Sequence, residues 1–120
     1  MEENKEDKII ATSLIVKVPS YLTHHQKSEM TITAVDSKGR IDRKRNDEIE
    51  ITMEPIYEKI EDTKVKLDTS YVRLVNGVSK IGVSSQKSEF VKITVSCKDK
   101  KSKIKPYTVL MATGGYPFHR

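Results

Sequence analysis

The sequence predicts an all-β domain, a two-sheet sandwich of about seven strands with Greek-key connections. Two observations carry this. Period-two alternation rich in Val, Ile and Thr recurs along the chain, while no window of about eleven residues holds the 3.6-residue period of an amphipathic helix. The alternating runs are also separated by clusters of Gly, Pro, Asn, Asp and Ser, the punctuation of turns. With 120 residues, the chain is long enough to bury one core and too short for two. Only 36% of its residues are hydrophobic and 32% are charged, so the core must be collected from every second residue of half-buried strands.

The first strand is expected over residues 9–18, with Leu14, Val16 and Val18 on one face, and it stops at Pro19 and Ser20. A second, over 28–35, alternates Met30, Ile32 and Ala34 with Glu29, Thr31 and Thr33. It ends in Asp36-Ser37-Lys38-Gly39, where Asp can bond its own backbone and Gly can supply positive φ. A third, over 47–54, turns Ile49, Ile51 and Met53 inward and is closed by Pro55. Residues 64–67 and 71–75 are one bent strand or two, with Asp68-Thr69-Ser70 between them. Asn76-Gly77 then predicts a type I′ hairpin between 71–75 and 78–84, since both residues tolerate positive φ. After a polar loop at 85–88, residues 89–97 put Val91, Ile93, Val95 and Cys97 on one face against Phe90, Lys92, Thr94 and Ser96. A last strand over 104–112 holds Pro106, which removes a ladder donor and marks a sheet edge or a strand start. Residues 1–8 read as a charged, solvated tail, 9–112 as the domain, and 113–120 as a C-terminal tail whose Tyr116-Pro117-Phe118 could dock on a neighbour.

Thr33-Ala34-Val35 running into Asp36-Ser37-Lys38-Gly39, then Asn46-Asp47-Glu48-Ile49, Leu74-Val75-Asn76-Gly77 and Val91-Lys92-Ile93-Thr94-Val95 form an ordered set of cues. Together they resemble the bacterial and archaeal immunoglobulin-like repeats of the invasin and intimin type, and the related sandwich domains appended to some glycoside hydrolases. The likeness covers most of 28–97; the basic loop after Gly39 and the long 55–70 segment depart from it. The resemblance implies a spacer, adhesive unit or accessory binding domain.

No segment approaches the roughly 18 consecutive apolar residues of a membrane-spanning helix, the best runs being Leu14-Ile15-Val16 and Val109-Leu110-Met111, so no membrane insertion is expected. The single cysteine, Cys97, excludes an internal disulfide and falls on the apolar phase of its strand, where a thiol behaves as a small buried hydrophobe. His24-His25 lack companions at ligand spacing, and adjacent side chains point apart, so a solvated loop is expected there. Asp36, Asp42 and Asp47 have the oxygen chemistry of a calcium loop, but the cations interleaved with them would repel the ion. No nucleophile, base and orienting group are marked out as a set, so neither enzyme activity, a small-molecule substrate nor a cofactor is expected.

Charge is the feature left. The chain carries a formal net charge of +5. Lys38, Arg40, Arg43, Lys44 and Arg45 lie between the second and third strands, and Lys98, Lys100, Lys101, Lys103 and Lys105 lie in or beside the loop before the last. In the standard sandwich both loops share one end with the Asn76-Gly77 turn; a separate strand at 64–67 would reverse the chain and part them. A shared end would grip phosphate or an acidic glycan, though without interleaved aromatics or a groove-reading helix it is not a sequence-specific nucleic-acid binder. The expected function is therefore a non-catalytic interaction or spacer module that meets a protein or anionic polymer through end loops. The alternatives are a stand-alone basic protein holding nucleic acid by its phosphates, and an accessory domain of a carbohydrate-active enzyme. Pro106 and charged residues on the strands guard the edges, so a monomer is expected. The cell surface or exterior is expected if the chain belongs to a longer secreted parent, the cytoplasm if it stands alone.

Overall fold

The structure, a computed structural model, describes residues 8–18, 21–23, 27–57, 59, 65–85 and 89–114. Nine strands are present among them: β1 (Ser13–Lys17), β2 (Tyr21–Thr23), β3 (Lys27–Val35), β4 (Glu48–Pro55), β5 (Lys66–Leu67), β6 (Tyr71–Arg73), β7 (Val78–Ser84), β8 (Glu89–Cys97) and β9 (Tyr107–Gly114). One sheet has the order β1-β3-β7-β5 and the other β2-β9-β8-β4-β6. Every pairing is antiparallel except β2 with β9. This is the two-sheet immunoglobulin-like sandwich expected, with consecutive strands such as β3 and β4 on opposite sheets.

The strand count agrees with seven runs of chain once direction is considered. β5 lies antiparallel to β7 and β6 antiparallel to β4. Since β4 and β7 both start at the same end, β5 and β6 climb in the same direction, one run that changes sheets at Asp68-Thr69-Ser70. β1 and β2 likewise share a direction while pairing in different sheets. The segment expected to be one bent strand or two is thus both: two strands by pairing, one by direction. No extra reversal occurs, and the basic loops stay together.

Alternation builds the core. Leu14, Met30, Ile32, Ile49, Leu74, Val91, Ile93 and Val95 are fully buried between the sheets. Register sets them opposite one another, as in Ile51 against Val95 and Met30 against Ile81. Fully burying an aliphatic side chain of this kind stabilises by roughly 1.5–3 kcal/mol, and the interior faces of β3, β4 and β8 carry half of the buried core.

Several boundaries differ from expectation. The first strand begins at Ser13 rather than Ile9, because Ala11 and Thr12 spend their amides on the Asp42 carboxylate and the Val35 carbonyl. Pro55 does not close the third strand from outside but lies within it, opposite Val91. The last strand runs from Tyr107 to Gly114, with Pro106 just before its start and Thr113 and Gly114 still paired. Asn76 and Gly77 adopt φ of 54° and 83°, the predicted tight turn. They do not join a two-stranded ladder, however: only Val75 and Val78 pair, because β6 belongs to one sheet and β7 to the other. Burying Leu74 completely draws the chain through the core at that point. The expectations for residues 1–7, Pro19-Ser20, His24-His25, 64, 86–88 and 115–120 lie outside the described residues.

Candidate functional site

Backbone hydrogen bonds tie the two basic loops and the Asn76-Gly77 turn into one end of the sandwich. The Gly77 amide donates to the Arg45 carbonyl at 2.9 Å, and the Asn76 amide to Asn46 Oδ1 at 3.2 Å. The Lys98 amide donates to the Glu48 carbonyl at 2.8 Å, which holds the start of the 98–106 loop against the end of the 36–47 loop. Thr12 joins the two from the side: its amide donates to Val35 and its carbonyl accepts from Lys105.

The loop after β3 is shaped by its own acids. Asp36 is buried and accepts from the Lys38 and Arg40 amides at 2.9 and 2.8 Å and from Arg40 Nε at 2.8 Å. Burial pushes its carboxyl up, but the Arg40 amide, the Arg40 guanidinium and the Lys38 amide outweigh that and hold it below the ordinary value. Asp42, also buried, accepts from the Ala11 and Lys44 amides. Asp47 takes a bidentate pair from Arg45, both bonds at 2.8 Å, which raises the affinity of that guanidinium for its proton. All three carboxylates that had the chemistry of a calcium loop are thus engaged as loop scaffold, and no group of metal-holding side chains occurs among the described residues.

This sorts the ten basic candidates. Arg40 and Arg45 are bound to Asp36 and Asp47, while Lys98 and Lys100 reach across to Glu48 and Glu50 on β4 at 3.8 and 3.5 Å. The remaining six, Lys38, Arg43, Lys44, Lys101, Lys103 and Lys105, are exposed and make no ion pair among the described residues. In the 36–47 loop the acids are held in hydrogen bonds within the loop and the surplus cations face outward, while in the second loop the exposed Asp99 accepts from the Lys101 amide at 2.9 Å. A shallow groove of about 290 Å³ lies at the same end between Lys8, Ile9, Ile41, Asp42, Arg43 and Lys44.

Other features are peripheral to it. Cys97 is buried, as its phase in β8 required. On the outer face of the first sheet, an open groove of about 740 Å³ runs past Lys27, Glu29, Asp68, Lys80 and Gly82. Over Gly82 the Lys27 and Asp68 side chains close in a 3.4 Å ion pair, their ends lying where a Cβ would stand; both are exposed and flexible. The second sheet carries on its outer face a group that sequence reasoning passed over: Ile56, Tyr57, Phe90 and Leu110, all exposed. Its signal was present, since Phe90 and Leu110 are large apolar residues on the polar phase of their strands.

No protein-family model matches the chain, and no curated protein matches it. Among solved structures, a glycosyl hydrolase family 2 member from Bacteroides cellulosilyticus superposes with a TM-score of 0.69 at 11% identity, over 87% of this chain and 14% of that one. A beta-glycosidase from Bacteroides vulgatus gives 0.67 at 10% identity, over 86% and 14%. Domains 4 and 5 of the S-layer protein SbsC give 0.58 at 15% identity, over 89% and 54%. At these identities the likeness is one of fold, an immunoglobulin-like sandwich, and the chain spans about one-seventh of the glycosidases' length.

Proposed function

We propose that the chain is a non-catalytic immunoglobulin-like contact module of the accessory kind, and that its basic end meets an acidic polysaccharide. The observation that carries this is the sorting of charge at that end: Lys38, Arg43, Lys44, Lys101, Lys103 and Lys105 face outward while Asp36, Asp42 and Asp47 are consumed within the loop. The likeness to a sandwich unit making up a small part of larger glycosidases favours an accessory role over a free-standing one. One such enzyme is a beta-glucuronidase, named for an acidic sugar, and a uronic acid is the kind of charge this end would receive. The likeness to the S-layer protein supports the spacer reading within the same class, and a finer kinship with invasin and intimin repeats belongs to that second reading. Nucleic acid is the weaker ligand because 36–47 and 98–106 contain no aromatic, and the exposed Tyr71 ring beside them is already faced by Lys98 Nζ at 5.2 Å.

The test is binding to a carboxylated polysaccharide and to duplex DNA at about 50 and about 200 mM salt. Arg43→Ser with Lys44→Ser is compared with Lys98→Ser with Lys100→Ser, a variant of equal net charge. The expected result is polysaccharide binding that weakens steeply with salt. Losing the outward pair should flatten the salt slope by about one to two, and losing the tethered pair should have less effect. No binding at the lower salt would overturn the basic-end reading, and equal effects of the two variants would overturn only the sorting of its cations into tethered and outward. Preference for DNA would replace the polysaccharide with a phosphate backbone.

A further inference from the structure

We propose that the outer face of the second sheet, at the end remote from the basic loops, is a binding site for an uncharged sugar chain. Its residues differ from those of the basic end, and the proposal stands independently of that reading. On β8 the outward positions are Phe90, Lys92, Thr94 and Ser96, and on β9 Leu110 lies beside Lys92. Ile56 continues β4 opposite Phe90, its amide donating to the Phe90 carbonyl at 2.9 Å. The Tyr57 ring stands edge-on to Phe90 with centroids 5.8 Å apart and planes at 84°. Tyr57 is 82% exposed and Phe90 51%, so neither ring contributes its area to the core. A single outward aromatic on a solvated face is ordinary; Ile56, Tyr57 and Phe90 adjoining one another, with Leu110 one step diagonal across Lys92, mark a contact surface.

The polar groups within this surface select the ligand. Glu54 and Lys92 form an ion pair at 3.3 Å in the row next to Phe90, and with Pro55 and Ile56 they line a groove of about 380 Å³. An apolar protein partner laid over this corner would desolvate the ion pair, and the centres of protein interfaces are depleted in such charges. A second copy of a chain with net charge +5 would also add its own repulsion. A pyranose suits both halves. Its C–H face packs on an aromatic ring, and its hydroxyls both donate to Glu54 and accept from Lys92, replacing the water those groups lose. Because the two charges cancel within the site, the sugar it fits is neutral. Beyond the pair, a row of hydroxyls from Thr52, Thr94 and Thr108 continues across the sheet, with Thr94 and Thr108 Oγ1 atoms 3.1 Å apart. This gives the groove a polar extension for further sugar units.

The experiment is a titration of the whole chain with cellohexaose and, separately, mannohexaose, followed by amide chemical shifts. Shifts are expected at 52–57, 90–94 and 108–112 with at least one of the two. Tyr57→Ala and Phe90→Ala should each weaken binding about tenfold, and Glu54→Gln, which keeps an acceptor, by less. Tyr57→Ala removes a side chain outside the core and leaves the fold intact. Added salt and the Arg43→Ser, Lys44→Ser variant should leave the affinity unchanged, which separates this site from the basic end. The proposal is overturned if neither oligosaccharide shifts these amides, or if binding survives Tyr57→Ala unchanged. Concentration-dependent dimers abolished by Tyr57→Ala would also overturn it, assigning the surface to a second copy.

Discussion

Replacing Gly77 with alanine tests how the tight turn fastens the basic end. Two costs add at this residue. Its φ of 83° lies in the left-handed region, where an L side chain costs roughly 1–2 kcal/mol. A Cβ would also run into the Asp42 carbonyl and approach Ile41 Cγ2 at 3.0 Å, and backbone rather than a flexible side chain stands in the way. Displacing packed neighbours of this kind costs roughly 1–3 kcal/mol. The sum is about 2–5 kcal/mol, a large part of the roughly 5–15 kcal/mol that holds a domain folded. Gly39 supplies the control: its φ is also 83°, but nothing lies within 4 Å of a Cβ there, so Gly39→Ala should carry only the conformational cost. In urea, with a slope of about 1.5 kcal/mol/M, the midpoint should fall by about 1 M for Gly39→Ala and about 2 M for Gly77→Ala. Equal shifts for the two variants would show that the turn does not press against the 36–47 loop.

Three further expectations concern the core and the titratable groups. Ile93→Ala, at a fully buried position between the sheets, should destabilise by about 2–5 kcal/mol, read as a shift in the urea midpoint at constant slope. Asp36 has a lowered carboxyl in the fold, so its contribution to stability is complete above the ordinary value of 3.8 and is lost as pH falls below that through the folded value. Asp36→Asn should therefore cost stability at about pH 6 and show a flatter acid arm toward about pH 3 than wild type, measured by urea midpoints across that range. Cys97, buried on the core face of β8, should react with a thiol reagent only as fast as the chain opens, and urea below the unfolding midpoint should accelerate the reaction.

The parts of the fold legible in the sequence are those where one local rule suffices. Met30, Ile32 and Ala34, or Val91, Ile93 and Val95, announce a buried face by period two alone, and the structure buries each of them. Asn76-Gly77 announces positive φ in the same way. What local rules do not contain is the choice of sheet. Residues 66–67 and 71–73 have similar strand chemistry, yet one joins β7 and the other β4, with Val65 and Leu74 beside them buried in the core. The same limit governs the basic end. Sequence placed ten cations in two loops, but it did not distinguish those bound to a carboxylate from those free to meet a partner. Arg45 and Asp47 are close in sequence, whereas the Lys98–Glu48 and Lys100–Glu50 pairs depend on the register of β4 against β8. The aromatic corner went unread because Tyr57 and Phe90 are far apart in sequence and meet only where Ile56 extends β4 alongside β8.

The measurement that bears most directly on the central claim is a map of amide chemical shifts as a carboxylated polysaccharide is added at about 50 mM salt and again at about 200 mM. Perturbations are expected to gather in residues 36–47, 76–78 and 98–106 and to fade at the higher salt. Perturbations scattered over both sheets, or centred elsewhere and indifferent to salt, would contradict that claim.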